Sequence, residues 1–122
     1  MITYYLLDDD GEPVPTTDVM RWAVWFEQSA DQRVLKQDYV EGERHTVEIF
    51  GRAHHGGVGV STVFLGLDHN HRATGPPILW ESMVFGTSLD GTQRRYASRE
   101  EALAGHARLV EDVRAAYEQE QR

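Results

Sequence analysis

The stretch VSTVFLGLDHNHRATGPPILWESMVFG, residues 60–86, decides the fold. Two dense apolar runs, 58–67 and 78–85, flank a polar segment, and Gly75-Pro76-Pro77 stops any helix between them. Short runs rich in β-branched and aromatic residues read as strands, and so short a connection requires antiparallel pairing. The two runs are expected to be adjacent and central in a sheet, since burial of their side chains is the largest favourable term available.

On the N-terminal side, residues 1–7 (MITYYLL) read as a strand and residues 8–16 (DDDGEPVPT) as a turn-rich loop with two prolines. Thr17 or Asp18 then caps a helix running to about Asp31, with Val19, Trp22, Ala23, Phe26 and Ala30 at helical spacing as its buried face. Residues 34–40 and 46–50 read as strands joined by the turn EGER, and 51–57 (GRAHHGG) as a glycine-rich break. Beyond the central hairpin, 86–95 read as loop. Ser98-Arg99-Glu100-Glu101 is a capping box, and Ala102, His106, Leu109, Val110, Val113 and Tyr117 form the apolar stripe of a last helix. The order strand, helix, four strands, helix predicts an α+β fold. It would have a single antiparallel β-sheet of four to five strands and two helices packed on one face. One domain is expected over residues 1–122, with no internal repeat and no linker.

Composition excludes several functions. The chain has no cysteine, which removes disulfides, zinc–thiolate sites and cysteine nucleophiles, and fits a reducing compartment such as the cytoplasm. The N-terminus lacks a basic region ahead of an apolar run, and no apolar run has the length of a membrane span. With 20 acidic against 12 basic residues the formal net charge is −8, so direct nucleic-acid binding is not expected, because counterion release needs clustered cations. An acidic surface suits a basic protein partner. No G-x-G-x-x-G, Walker loop or G-x-S-x-G is present.

STVFLGLDH, followed by GPPILWESMVFG and then by RRYASREEALAGHARLV, resembles a family of small uncharacterised phage and prophage proteins. Their pattern is STVFLGLDH, a short loop, GPP and an E-T-M-aliphatic-F strand, then an arginine-tyrosine segment and a capped helix. The segment MRWAVWFEQSADQRV in the first helix is similar to theirs as well. Ser82 replaces the family threonine, and His71 and VEIFGRAHHGG lie outside the pattern. The resemblance implies phage origin and a bacterial host cytoplasm, but carries no activity. It makes Asp68, His69 and Glu81 the polar positions of most interest.

Asp68, His69 and Glu81 are the candidate catalytic residues. The hairpin can bring the loop after Leu67 near Glu81, and imidazole with carboxylate can bind a divalent metal and activate water. Asp68, His69 and His71 are the candidate metal ligands, although D-H-x-H is looser than an H-E-x-x-H signature. No other cofactor is expected. The structural alternative is preferred: Asp68 bonds the backbone of its own turn and His69 packs on the adjacent strand. Alternation groups Glu81 with Leu79, Met83 and Phe85, and Arg94, Arg95 or His69 would partner it, a structural salt bridge being the favoured outcome. His54-His55 reads as a solvated hairpin tip, and His106 as a satisfied core histidine. Trp25, His71, Arg94 and Arg95 are the candidate binding residues. An exposed Trp25 would mark a partner surface, while a broad buried helix face accounts for it nearly as well. The leading expectation is a phage-encoded accessory protein that binds a protein partner such as a host-defence or nucleic-acid-handling factor. The alternatives are a metal-assisted hydrolase centred on Asp68, His69 and Glu81, and a structural or oligomeric domain, for which a homodimer is one form.

Overall fold

The computed structural model describes residues 3–41, 46–49, 52–55, 57–72 and 74–122, with backbone pairing alone for 46–49 and 52–55. The turn expected at EGER and the side chains of His54 and His55 lie outside the described residues. The centre is a four-stranded antiparallel sheet in the order β3 (Val34–Glu41), β6 (Val58–Phe64), β7 (Trp80–Phe85), β8 (Gln93–Tyr96). There are also two two-stranded ribbons: β1 (Tyr4–Leu7) with β2 (Pro13–Thr16), and β4 (Thr46–Ile49) with β5 (Arg52–His55). The helices are α1 (Val19–Gln28), the short α2 (Ala30–Arg33) and α3 (Arg99–Glu120).

The central pair behaves as its sequence demands. β6 and β7 are neighbours in the middle of the sheet, in a register that sets Val60 opposite Val84, Thr62 opposite Ser82 and Phe64 opposite Trp80. Those six side chains share one face, and α3 lies across it. Ser98 caps α3, its hydroxyl accepting from the Glu101 N–H, and Ala102, His106, Leu109 and Val113 form the buried stripe. The helix comes so close to β8 that a Cβ at Gly105 would overlap the ring end of Tyr96.

Four expectations are corrected. Residues 13–16 are not loop but a strand. Pro13 and Pro15 are two apart, so both ring nitrogens take the outer side of a two-stranded ribbon, where no donor is needed. Residues 52–55 pair with 46–49 as a separate hairpin, so β3 takes β6 as its partner. The close approach there is permitted by Gly59, where any Cβ would collide with the Asp38 carbonyl. Residues 93–96 form the edge strand β8, which pairs on one side only and leaves Gln93, Arg94 and Arg95 exposed; the apolar alternation of an inner strand is not required of it. Finally, α1 ends at Gln28 and turns through Ser29 into α2. Its inward stripe is Trp22, Trp25 and Phe26, while Val19, Ala23 and Ala30 face solvent.

Trp22 fastens α1 to the rest. Its indole N–H is shared between the carbonyls of Tyr5 and Gly66 at 3.0 and 3.1 Å, and its ring stacks on Phe26. Gly66 adopts φ +76° beneath these two rings, where a Cβ would press on both.

The core has two apolar halves with a polar belt between them. Leu7, Phe64, Leu79, Trp80 and Ala102 form one half. Val60, Val84, Leu109 and Val113 form the other. Between them His106 Nδ1 lies 2.6 Å from Thr62 Oγ1, which lies 2.5 Å from Ser82 Oγ, and the Tyr96 hydroxyl reaches Ser82 at 3.1 Å. His106 Nε2 lies 2.7 Å from Asp38 Oδ2 at the solvent margin.

Candidate functional site

The loop between β6 and β7 is built around Asp68. One carboxylate oxygen accepts the N–H of Asn70 at 2.7 Å and of Ile78 at 2.9 Å, closing both ends of the loop. Asn70 then fixes the middle: its amide nitrogen donates to the carbonyls of Pro76 and Thr74, and its oxygen accepts the Arg72 N–H. His69 Nδ1 lies 2.8 Å from the Leu67 carbonyl, a contact that only a ring N–H satisfies. The Nδ1 proton is thereby placed, and Nε2 is the ring atom left for a ligand. The His71 ring stands 6.4 Å from that of His69, inclined by 62°.

These side chains border an open cavity of about 490 Å³ lined by His69, Asn70, His71, Arg72, Thr74 and Ile78, among others. Asp68 is not part of its wall, because its carboxylate is turned into the loop backbone. Structural bonding by Asp68 and His69 is thus what the geometry displays.

Glu81 is elsewhere. It shares the sheet face of Met83 and Phe85, opposite to α3, and pairs across the strands with Arg95 at 2.9 Å. Leu79, expected on the same face, precedes the regular strand and lies in the core beside Trp80. No hydrogen bond or ion pair among the described residues joins Glu81 to Asp68 or His69. Nor, among the described residues, do three or more acidic or histidine side chains gather around a point that a metal ion could occupy. Arg94 donates to the Gln93 carbonyl at the sheet edge.

The belt has the connectivity of a nucleophile relay, carboxylate to imidazole to hydroxyl. Thr62 and Ser82 are fully buried, however, so no substrate reaches either hydroxyl. With one proton on the ring all donors align in a single direction, from Tyr96 through Ser82, Thr62 and His106 to Asp38. The expected satisfied core histidine is therefore present, with partners that sequence reasoning missed. Their signal was legible: in V-S-T-V-F and W-E-S-M-V the inward positions are apolar except for one small hydroxyl each, at facing sites.

A second surface feature lies on α1. None of its residues is buried, and Val19, Met20 and Val24 are 46, 74 and 52 % exposed. Met20 and Val24 line a shallow groove of about 530 Å³ with Trp25, rimmed by Asp18, Arg21 and Gln28. Trp25 is half-buried: its ring packs edge-on against Phe64 at 6.1 Å between centroids, and it also borders the groove.

No family model, curated protein or solved structure matches the chain. No helix among the described residues is long and apolar enough to cross a membrane.

Proposed function

We propose that the chain acts by binding another protein and turns over no substrate, with the outer face of α1 as the contact surface. The carrying observation is the exposure of Val19, Met20 and Val24 on a helix none of whose residues is fully buried, with Met20 and Val24 lining a groove beside the half-buried Trp25. Contiguous apolar surface with a polar rim is the usual mark of a protein contact, and tryptophan and methionine are enriched in such patches. The net charge of −8 favours a partner whose apolar anchor is surrounded by basic residues. The sequestered relay and the separation of Glu81 from His69 speak against turnover at the residues expected to be catalytic. The phage-encoded accessory role, against a host-defence or nucleic-acid-handling factor, is supported by the motif resemblance at residues 61–86.

A photo-crosslinking amino acid at position 20, used in bacterial cells, identifies the partner, and the complex is then rebuilt from purified proteins. The expected result is one basic partner whose affinity falls at least tenfold in Met20→Asp with an unchanged melting temperature. An affinity indifferent to Met20→Asp and Val24→Asp would overturn the assignment. So would crosslinks only to a second copy of the chain, accompanied by a dimer in light scattering.

A further inference from the structure

The geometry points to a second site: the cavity of the β6–β7 loop binds a small organic phosphate monoester. Three residues whose side chains carry or can take positive charge, His69, His71 and Arg72, border this one concavity, and no acidic residue among the described residues does. In a chain of net charge −8 that separation of charge needs a local device, and the device is visible. The loop's only acid, Asp68, has one carboxylate oxygen bonded to two backbone N–H groups and stays out of the wall. Arg72 makes no ion pair among the described residues, so its guanidinium keeps a planar fork of donors for an oxyanion.

The remaining features match a phosphate with a small body. His69 is oriented by its bond to the Leu67 carbonyl, leaving Nε2 to donate when the ring is doubly protonated, or to accept the proton of a monoprotonated phosphate. The three hydrogen bonds of Asn70 hold the loop in shape before any ligand arrives, which lowers the ordering cost of binding. The volume of about 490 Å³ exceeds a bare phosphate, and Ile78 with the two imidazole rings offers an apolar surface for an organic group. A divalent cation fits less well, since two imidazoles with a neighbouring guanidinium supply no charge to neutralise it. A nucleic acid strand would bring its other phosphates against an acidic protein.

The test is a backbone amide NMR titration of the full chain with phenyl phosphate, inorganic phosphate, benzoate and phenol. Saturable shifts confined to residues 68–78 are expected for phenyl phosphate at millimolar concentration, with weaker binding of inorganic phosphate and no saturation with phenol. Arg72→Gln should weaken phenyl phosphate at least tenfold, while Arg108→Gln, on the exposed side of α3, should leave it unchanged. Benzoate binding as tightly as phenyl phosphate would reassign the site to carboxylates and overturn the phosphate proposal. Equal affinity in Arg72→Gln, absence of saturable shifts in the loop, or saturation by zinc chloride alone would overturn it as well. Failure here leaves the α1 contact untouched, because the two surfaces share no residue.

Discussion

Replacing Thr62 by valine isolates the polar belt, because the two side chains have nearly the same shape and no cavity opens. The lost hydroxyl makes two contacts, 2.6 Å to His106 Nδ1 and 2.5 Å to Ser82 Oγ, at a position with no exposure to water. His106 Nδ1 is left without a donor, and the Ser82 hydroxyl loses its acceptor while keeping Tyr96. A buried polar group stranded in this way costs about 1–3 kcal/mol; with His106 Nδ1 bearing that cost and Ser82, which keeps Tyr96, adding about 1 kcal/mol, the variant should lose about 2–4 kcal/mol in all. That is a large part of the roughly 5–15 kcal/mol typical of a domain, and corresponds to a melting point lower by about 10 °C. Urea unfolding followed by tryptophan fluorescence measures it directly, as a shifted midpoint at constant slope. The double variant with Ser82→Ala should cost less than the sum of the singles by about 1 kcal/mol, since the second substitution removes a group already stranded. A single variant within about 0.5 kcal/mol of wild type, or strict additivity, would refute the belt as a connected chain.

Gly105→Ala should destabilise by about 1–3 kcal/mol through overpacking against Tyr96, despite the helix propensity it gains; a neutral or raised melting temperature would contradict the close approach. Ser98→Ala removes the hydroxyl that accepts the Glu101 N–H and should cost about 0.5–2 kcal/mol in the same unfolding assay, zero change being the adverse result. Burial raises the Tyr117 phenol above its ordinary range, and the hydrogen bond and charge of Glu41 act in the same direction. A folded value above the unfolded one means that this contribution to stability is complete below about pH 10 and is lost as pH climbs through the folded value. Glu41→Gln should make Tyr117 ionise at lower pH in an ultraviolet titration, and an unchanged curve would remove Glu41 as a cause.

Elements that bury one face completely were legible from the sequence. β6, β7 and α3 each show an apolar period broken by a single polar residue, Thr62, Ser82 and His106 in turn, and their pairing, order and cap follow from it. Elements with little burial were not. β2 contains two prolines, and β8 presents arginines to solvent, so neither carries a period-two signal. In α1 the apolar residues cover more than half the circumference. The choice of inward stripe was settled by Trp22 finding two carbonyls, which helical spacing does not encode. At the site, Asp68 and His69 behave as local turn chemistry predicts, because their partners lie two and ten residues away. The Asp38–His106 contact spans 68 residues and requires β3 to pair with β6, a topology that the expected turn at EGER had hidden.

The belt also fixes where α3 can rest. Valine and leucine surfaces tolerate sliding, since one apolar contact replaces another at little cost. Displacing α3 by one turn, about 5.4 Å, would carry the His106 ring off Thr62 and Asp38 and set it against Val60 and Val84 or Phe64 and Trp80, with no donor for Nδ1 and no acceptor for the Nε2 proton. A helix gripped only by its apolar stripe has several resting places; this one has a detent. Exchanging His106, Thr62 and Ser82 together for leucine, valine and alanine would remove the detent, and duplicate amide signals from α3 would show the helix occupying more than one axial position.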